Sequence, residues 1–331
     1  MTTASVAETR GDQSGDAPAD KPGWRALVDP SNLATWAAPI ALVVLAVVFQ
    51  ALNPTFLSLG NLTSMLTSAA ILIVLAVGQT FVVATAGIDL SIASAMTLAA
   101  VVFGIVFDAG LAAAVIAAVA TGLAVGLVNG LIIARGRITD FIVTLGMLSA
   151  ASGAALIFAD GKPKTIISAP LLTLSTGTVW IFGYSFLIAI ALAVVAHVVL
   201  FHTRFGTYVL ATGGNREAAA ATGVATARVK TAVYVISGLT AGIAAILLVA
   251  RVGAAEPASN TSFLLNSVAA VVLGGVSLFG GRATIAGPVV GALLLTGLVN
   301  GLTLMGVSQF YQPLSVGIVV VAAAFLTRYQ K

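Results

Sequence analysis

Asp89 is the residue that first raises a chemical question. It stands in GQTFVVATAGIDLSIAS, Gly78–Ser94, alone inside an apolar stretch. A carboxylate at the centre of a hydrocarbon layer costs about 2.5–3.5 kcal/mol on insertion scales, so such a group is kept for a reason. Two roles fit. At depth it would gate or line a path; at a polar interface it is cheaply solvated and would cap the following helix through its own backbone neighbours. Gln79 and Thr80 precede it, and Thr144 and Asn266 are neutral polar side chains in other apolar stretches. Such groups either line a path or hydrogen-bond between helices.

Enzyme chemistry finds no foothold. His197 and His202 lie in or beside one apolar stretch without a paired carboxylate, and neither HExxH nor GxSxG occurs. The chain has no cysteine, which excludes disulfides, thiolate metal sites and thiol nucleophiles. GVSLFGGR, Gly275–Arg282, is superficially like a phosphate-cradling GxxxxGK[ST] loop. It lacks the Lys after the last Gly and is flanked by apolar stretches, so it reads as a tight turn anchored by Arg282. No metal, cofactor or catalytic role is expected.

A second polar segment is the loop His202–Lys230, HTRFGTYVLATGGNREAAAATGVATARVK. Gly213 and Gly214 break the chain, Asn215 is a good N-cap, and Glu217 lies in the first turn, where the helix dipole favours an anion. Ala218–Ala221 propagate a helix and Gly223 ends it. The pattern predicts a short surface helix at about 216–222.

The elements that must hold these residues follow from composition. The chain of 331 residues is 59% hydrophobic and 8% charged, too few charges to give a domain of this size a water-soluble skin. A membrane span needs about 20 apolar residues. Candidates fall near 36–52, 65–86, 90–107, 111–134, 141–159, 181–201, 231–250, 263–279, 283–305 and 310–326. The expected fold is all-α, a polytopic bundle of about ten transmembrane helices, forming a membrane domain over 34–331 after a disordered cytoplasmic tail over 1–33. With both termini inside, all of the fifteen Lys and Arg but Lys162, Lys164 and Arg251 fall in inner segments, as the positive-inside rule asks. The net charge of +4 thus reads as topology, and no basic stripe with interleaved aromatics suggests nucleic acid. GLVNGL occurs at Gly126–Leu131 and again at Gly297–Leu302, five spans apart. Copies so placed cross in opposite senses, as the two five-helix halves of an inverted repeat would; chance in a Gly-, Leu- and Val-rich chain is the alternative of equal weight.

Three segments carry a family resemblance. The chain from about residue 36 resembles permeases of the ribose, xylose, arabinose and galactoside class of ABC importers, the branched binding-protein-dependent transport permease family. The resemblance lies in Gly-Ile-Asp-Leu-Ser at Gly87–Ser91, in GN-x-x-AA-x-x-x-G at Gly214, Asn215, Ala218, Ala219 and Gly223, and in VVLGGVSLFGGRATIAGPVVGALL, Val271–Leu294. It extends through GLVNGLIIARGRITDFIVTLGMLSAASGAALIFADGKP, Gly126–Pro163, with one departure: the family has uncharged residues after the ARGRI segment, whereas Asp140 stands here.

The resemblance implies a translocation subunit, not an enzyme, in the bacterial plasma (inner) membrane. It implies an ATP-binding subunit inside, an extracytoplasmic sugar-binding protein outside and a second permease copy, identical or paralogous. Gly214, Asn215, Arg216, Glu217, Ala218, Ala219 and Gly223 would form the helix that docks the ATPase. Gln79, Thr80, Asp89, Thr144 and Asn266 would line or gate a path for an uncharged, hydroxyl-rich monosaccharide. The rival expectation is an ion-coupled sugar carrier using Asp89; too few intramembrane ionisable groups speak for it.

Overall fold

In a computed structural model, residues 30–258 and 261–328 are described, and most of the expected polar tail lies outside them. Long helices dominate: α1 (Pro30–Leu52), α2 (Leu59–Ala84), α3 (Ile92–Val106), α4 (Leu111–Gly136) and α5 (Asp140–Phe158). A short α6 (Ala169–Thr176) and α7 (Tyr184–Phe201) follow, then α8 (Arg204–Gly214), α9 (Arg216–Ala221), α10 (Thr226–Val252), α11 (Thr261–Leu273), α12 (Ala286–Leu304) and α13 (Gln312–Arg328). Among the described residues, seven helices (α2, α3 with its 3-10 extension, α4, α5, α7, α10 and α12) are long and apolar enough to cross a membrane. The apolar parts of α1, α11 and α13 are shorter. The architecture is thus a polytopic helical bundle, with helices in all ten places the hydropathy marks.

The core helix is α2. It is apolar on every face, and all its residues from Ala69 to Ala84 are buried, the pattern of a helix surrounded by others. Its neighbours are α7, α10, α11 and α12. The most extensive helix pairing is α4 with α10, and small residues allow it. Gly122, Gly126 and Gly130 recur every four residues along α4, and a methyl on any of them would strike the backbone of Gly238, Tyr234 or Thr231 in α10. Close backbone approach of this kind replaces the hydrophobic drive that lipid cannot supply. Gly287 and Gly291 let α12 approach Gly274 and Ala270 in the same way.

The structure adds elements that hydropathy does not show. The loop over 202–230 is mostly helical: α8 fills 204–214 and α10 already begins at Thr226, so Lys230 is a helix residue. Thr203 caps α8 by accepting from the Gly206 amide at 3.3 Å. The polar stretch after α5 holds α6, a hairpin of β2 (Thr178–Val179) with β3 (Phe182–Gly183), and β1 (Lys164–Thr165) paired with β4 (Ala254–Ala255).

Candidate functional site: the α2–α3 break and the α9 helix

Between α2 and α3 the chain runs non-helically over residues 85–91. Helix α2 ends in a Schellman-type turn, with Gly87 N–H bonded to Val82 O at 3.1 Å and Ala86 N–H to Val83 O at 2.9 Å. Ala86 takes the left-handed conformation, φ 55°, a place where glycine is usual because a Cβ is disfavoured there.

Asp89 follows and is 2% exposed. Its Oδ1 accepts from the Ser91 amide at 2.9 Å and from Ser91 Oγ at 2.7 Å, and its Oδ2 accepts from Ser237 Oγ of α10 at 2.7 Å. Ser91 Oγ in turn accepts from Asn129 Nδ2 of the first GLVNGL copy at 2.8 Å. Gln79, with its amide turned to satisfy both groups, donates to the Asp89 carbonyl at 3.3 Å and accepts from the Asp89 amide at 3.2 Å. Through its carboxylate and its backbone, Asp89 links α2, the start of α3 and α10 at the break, and Ser91 extends the network to α4. Among the described residues no cation is paired with it; hydroxyl and amide donors balance its desolvation instead.

A second cluster grips the same break from α5 and α10. Lys230 Nζ meets Asp140 Oδ2 at 2.5 Å and donates to the Thr85 carbonyl at 3.1 Å. Tyr234 OH donates to Asp140 Oδ2 at 2.8 Å and lies 3.4 Å from the Ile88 carbonyl. Thr144 Oγ1 reaches the Ile88 carbonyl at 3.2 Å and its own helix at Asp140 O, 2.8 Å away. Sequence reasoning missed this trio. Its one signal is the carboxylate at Asp140, where the resemblance leads one to expect an uncharged residue; the sequence places Lys230 at the end of a loop, whereas it is a residue of α10.

Of the other proposed path residues, Thr80 is buried and donates to Ala76 O of its own helix at 2.7 Å. Asn266 is separate from the break. It lines a cleft of about 330 Å³ among α2, α10, α11 and α12, with Ser68, Arg251, Thr296, Asn300 and Thr303 also on its wall. Asn300, from the second GLVNGL copy, exchanges side-chain hydrogen bonds with Asn61 at 2.8 and 3.0 Å.

Helix α9 forms where the sequence places it. Asn215 ends α8 and caps α9, its side chain accepting from the Ala218 amide at 2.9 Å. Gly223 closes the helix at φ 89°, with Val224 N–H returning to Ala219 O at 3.0 Å. Arg216, Glu217, Ala218, Ala220 and Ala221 are exposed, and Ala219 alone is buried. Helix α9 is joined to the break through the end of α8, which meets it by backbone contact. A methyl on Gly213 would overlap the Ala84 carbonyl. Gly281 N–H donates to that same carbonyl at 3.1 Å, and a methyl on Gly280 would meet Ala86 N and Gly213 O, both at 2.7 Å. The GVSLFGGR turn thus completes a three-way junction with the ends of α2 and α8. The sequence marks it as a turn but gives no sign of its partners.

No solved structure matches this chain. Among curated proteins it is 38% identical over 302 residues to the ribose import permease of Escherichia coli K12, covering 87% of this chain and 91% of that one. It is 39% identical over 293 residues to the ribose import permease of Bacillus subtilis 168, with the same coverages. It is 36% identical over 295 residues to the L-arabinose ABC transporter permease of Azospirillum brasilense, covering 88% and 87%. With residues 61–324 matching the family model described as branched-chain amino acid transport system / permease component, this chain belongs to that permease family.

Proposed function

We propose that this chain is the membrane permease of an ATP-driven, binding-protein-dependent monosaccharide importer of the bacterial plasma membrane. Its near relatives carry ribose and L-arabinose in their names. The observation that carries the mechanism is α9: a helix capped at both ends, exposed at all of its residues but Ala219, and joined through the end of α8 to the glycine junction at the end of the core helix. Such an element gives a separate ATPase a handle, and movement of the handle meets rigid backbone at once. Arg216 and Glu217 present one charge of each sign to that partner, and Gly214 leaves room for it.

In this reading α1–α5 and α7 with α10–α13 make ten spans with both termini inside. The two GLVNGL copies lie on α4 and α12; α4 runs along α10 and α12 along α2, the exchange expected of equivalent halves in opposite orientation. A second copy of the permease, identical or paralogous, completes the pathway. Asn266 and its cleft suit an uncharged polyhydroxyl solute. Gln79, Thr144 and Asp89 gate indirectly, by fixing the break. Asp89 is engaged on both oxygens, which weighs against a carrier that loads an ion there.

The test is reconstitution of the full chain with its ATP-binding subunit and binding protein in liposomes, offering D-ribose and L-arabinose. Accumulation that requires ATP and all three components is expected. Accumulation by the permease alone under a proton or sodium gradient would replace this reading with the ion-coupled carrier.

A further inference from the structure

We propose that Asp140, Lys230 and Tyr234 are positioning residues that latch the α2–α3 break, so that a displacement of α9 is delivered to Asp89. The inference rests on the importer reading for the partner that moves α9.

Helix ends leave carbonyl groups without intrahelical partners, and a cation is favoured at a C-terminus. At the end of α2 the Thr85 carbonyl receives the Lys230 ammonium and the Ile88 carbonyl receives the Thr144 hydroxyl, with Tyr234 OH beside it. Both sides of the ion pair are largely enclosed, with side-chain exposures of 6% for Lys230 and 18% for Asp140. An enclosed ion pair adds little net stability compared with apolar packing, but it penalises any arrangement that separates its members. It therefore suits a part that must keep its register rather than one that must merely hold.

Gly87 makes the fit specific. A methyl there would run into the Asp140 carboxylate and lie 2.8 Å from Lys230 Nζ and 3.1 Å from Tyr234 OH. The break is thus seated directly on the trio, and it cannot slide without displacing charged atoms. The same α2 side of the break, at Ala84 and Ala86, abuts Gly213, Gly280 and Gly281. The chain leaves α9, turns at Gly223 and enters α10, which carries Lys230 and Tyr234 and, one turn further along the same helix, the Ser237 hydroxyl that holds Asp89. Helix α9 therefore reaches the break by two routes, one through backbone packing at Ala84 and one through α10 and the ion pair. A motion taking only the first route would shear the break; the latch makes both ends move as one body.

The experiment uses the full chain bound to its ATP-binding subunit in lipid nanodiscs, with hydrogen exchange read by mass spectrometry with and without a non-hydrolysable ATP analogue. In the parent protein, nucleotide is expected to change exchange at 216–223 and, by on the order of tenfold, at 82–91. Asp140→Asn and Lys230→Met should keep the ATP-binding subunit and the response at 216–223 while the response at 82–91 falls below about twofold. Tyr234→Phe, which keeps the ion pair and removes one hydroxyl, should lie between, and it decides the matter if the charge variants do not fold. A purely structural role would lower thermal stability and leave the nucleotide response at 82–91 intact, and that result overturns the proposal. So does a parent protein whose response stops at 216–223. If no ATP-binding subunit associates with the parent chain, the importer reading itself fails and takes this inference with it.

Discussion

Residues 85–91 and 215–223 are built alike and packed differently. Each is a short polar interruption in which an Asp or Asn side chain accepts a backbone amide a few residues on, Ser91 N for Asp89 and Ala218 N for Asn215. Each contains a left-handed residue, Ala86 in one and Gly223 in the other. The first is enclosed by α4, α5 and α10 and its polar groups are tied to them. The second has five of its six helical residues exposed. Local chemistry sets the shape of such a segment, and what packs around it decides whether it is a fixed centre or a handle.

Two neighbouring glycines give the sharpest contrast between centre and handle. Gly213→Val would drive its side chain into the Ala84 backbone and is expected to cost about 3 kcal/mol or more, read as loss of monodisperse protein in detergent. A Cβ on Gly214 meets nothing nearer than Gly281 Cα at 3.9 Å, so Gly214→Val should fold far better than Gly213→Val and weaken ATPase association instead. Equal stability of the two variants would erase the contrast.

Next in size is Asp89→Ala. It strands the Ser91 amide and the Ser237 hydroxyl in a buried setting, and about 2–3 kcal/mol should be lost, measured as a lower thermal midpoint of the purified permease. Asn215→Ala removes the α9 cap and should cost about 1 kcal/mol of local helix stability. Because α9 packs little, the global midpoint should stay put while affinity for the ATP-binding subunit falls roughly fivefold, measured by titration. The smallest effect goes the other way. Ala86→Gly relieves a left-handed residue and should raise stability by up to about 1 kcal/mol, read from the same thermal midpoint.

Much of this molecule is legible in its sequence. Apolar stretches marked every long helix, and the pattern Asn215, alanines, Gly223 located α9 to within a residue, because spans and caps are written in contiguous residues. The four-residue spacing of Gly122 and Gly126 is readable as a helix-packing face for the same reason, although the helix they meet is not. Partners distant along the chain stayed hidden. Asp140 and Lys230 meet across 90 residues, and nothing near either one signals the other. The Gly280–Gly281 turn is evident, yet its seat against Gly213 and Ala84 depends on how α8 and α11 pack. Helix α8 escaped because its apolar content is low, and α11 proved shorter than its apolar stretch, since Gly274 and Gly275 end it early.

The central claim is that the ATPase engages the permease through α9. Because the chain has no cysteine, Ala220→Cys places a single thiol on the exposed face of that helix. In the assembled complex, a short bismaleimide bearing a second maleimide for a surface cysteine of the ATP-binding subunit should join the two chains, while the same thiol at exposed Thr178 should not. An assembled, ATP-hydrolysing complex in which the Ala220→Cys thiol stays freely accessible and unjoined would contradict the account.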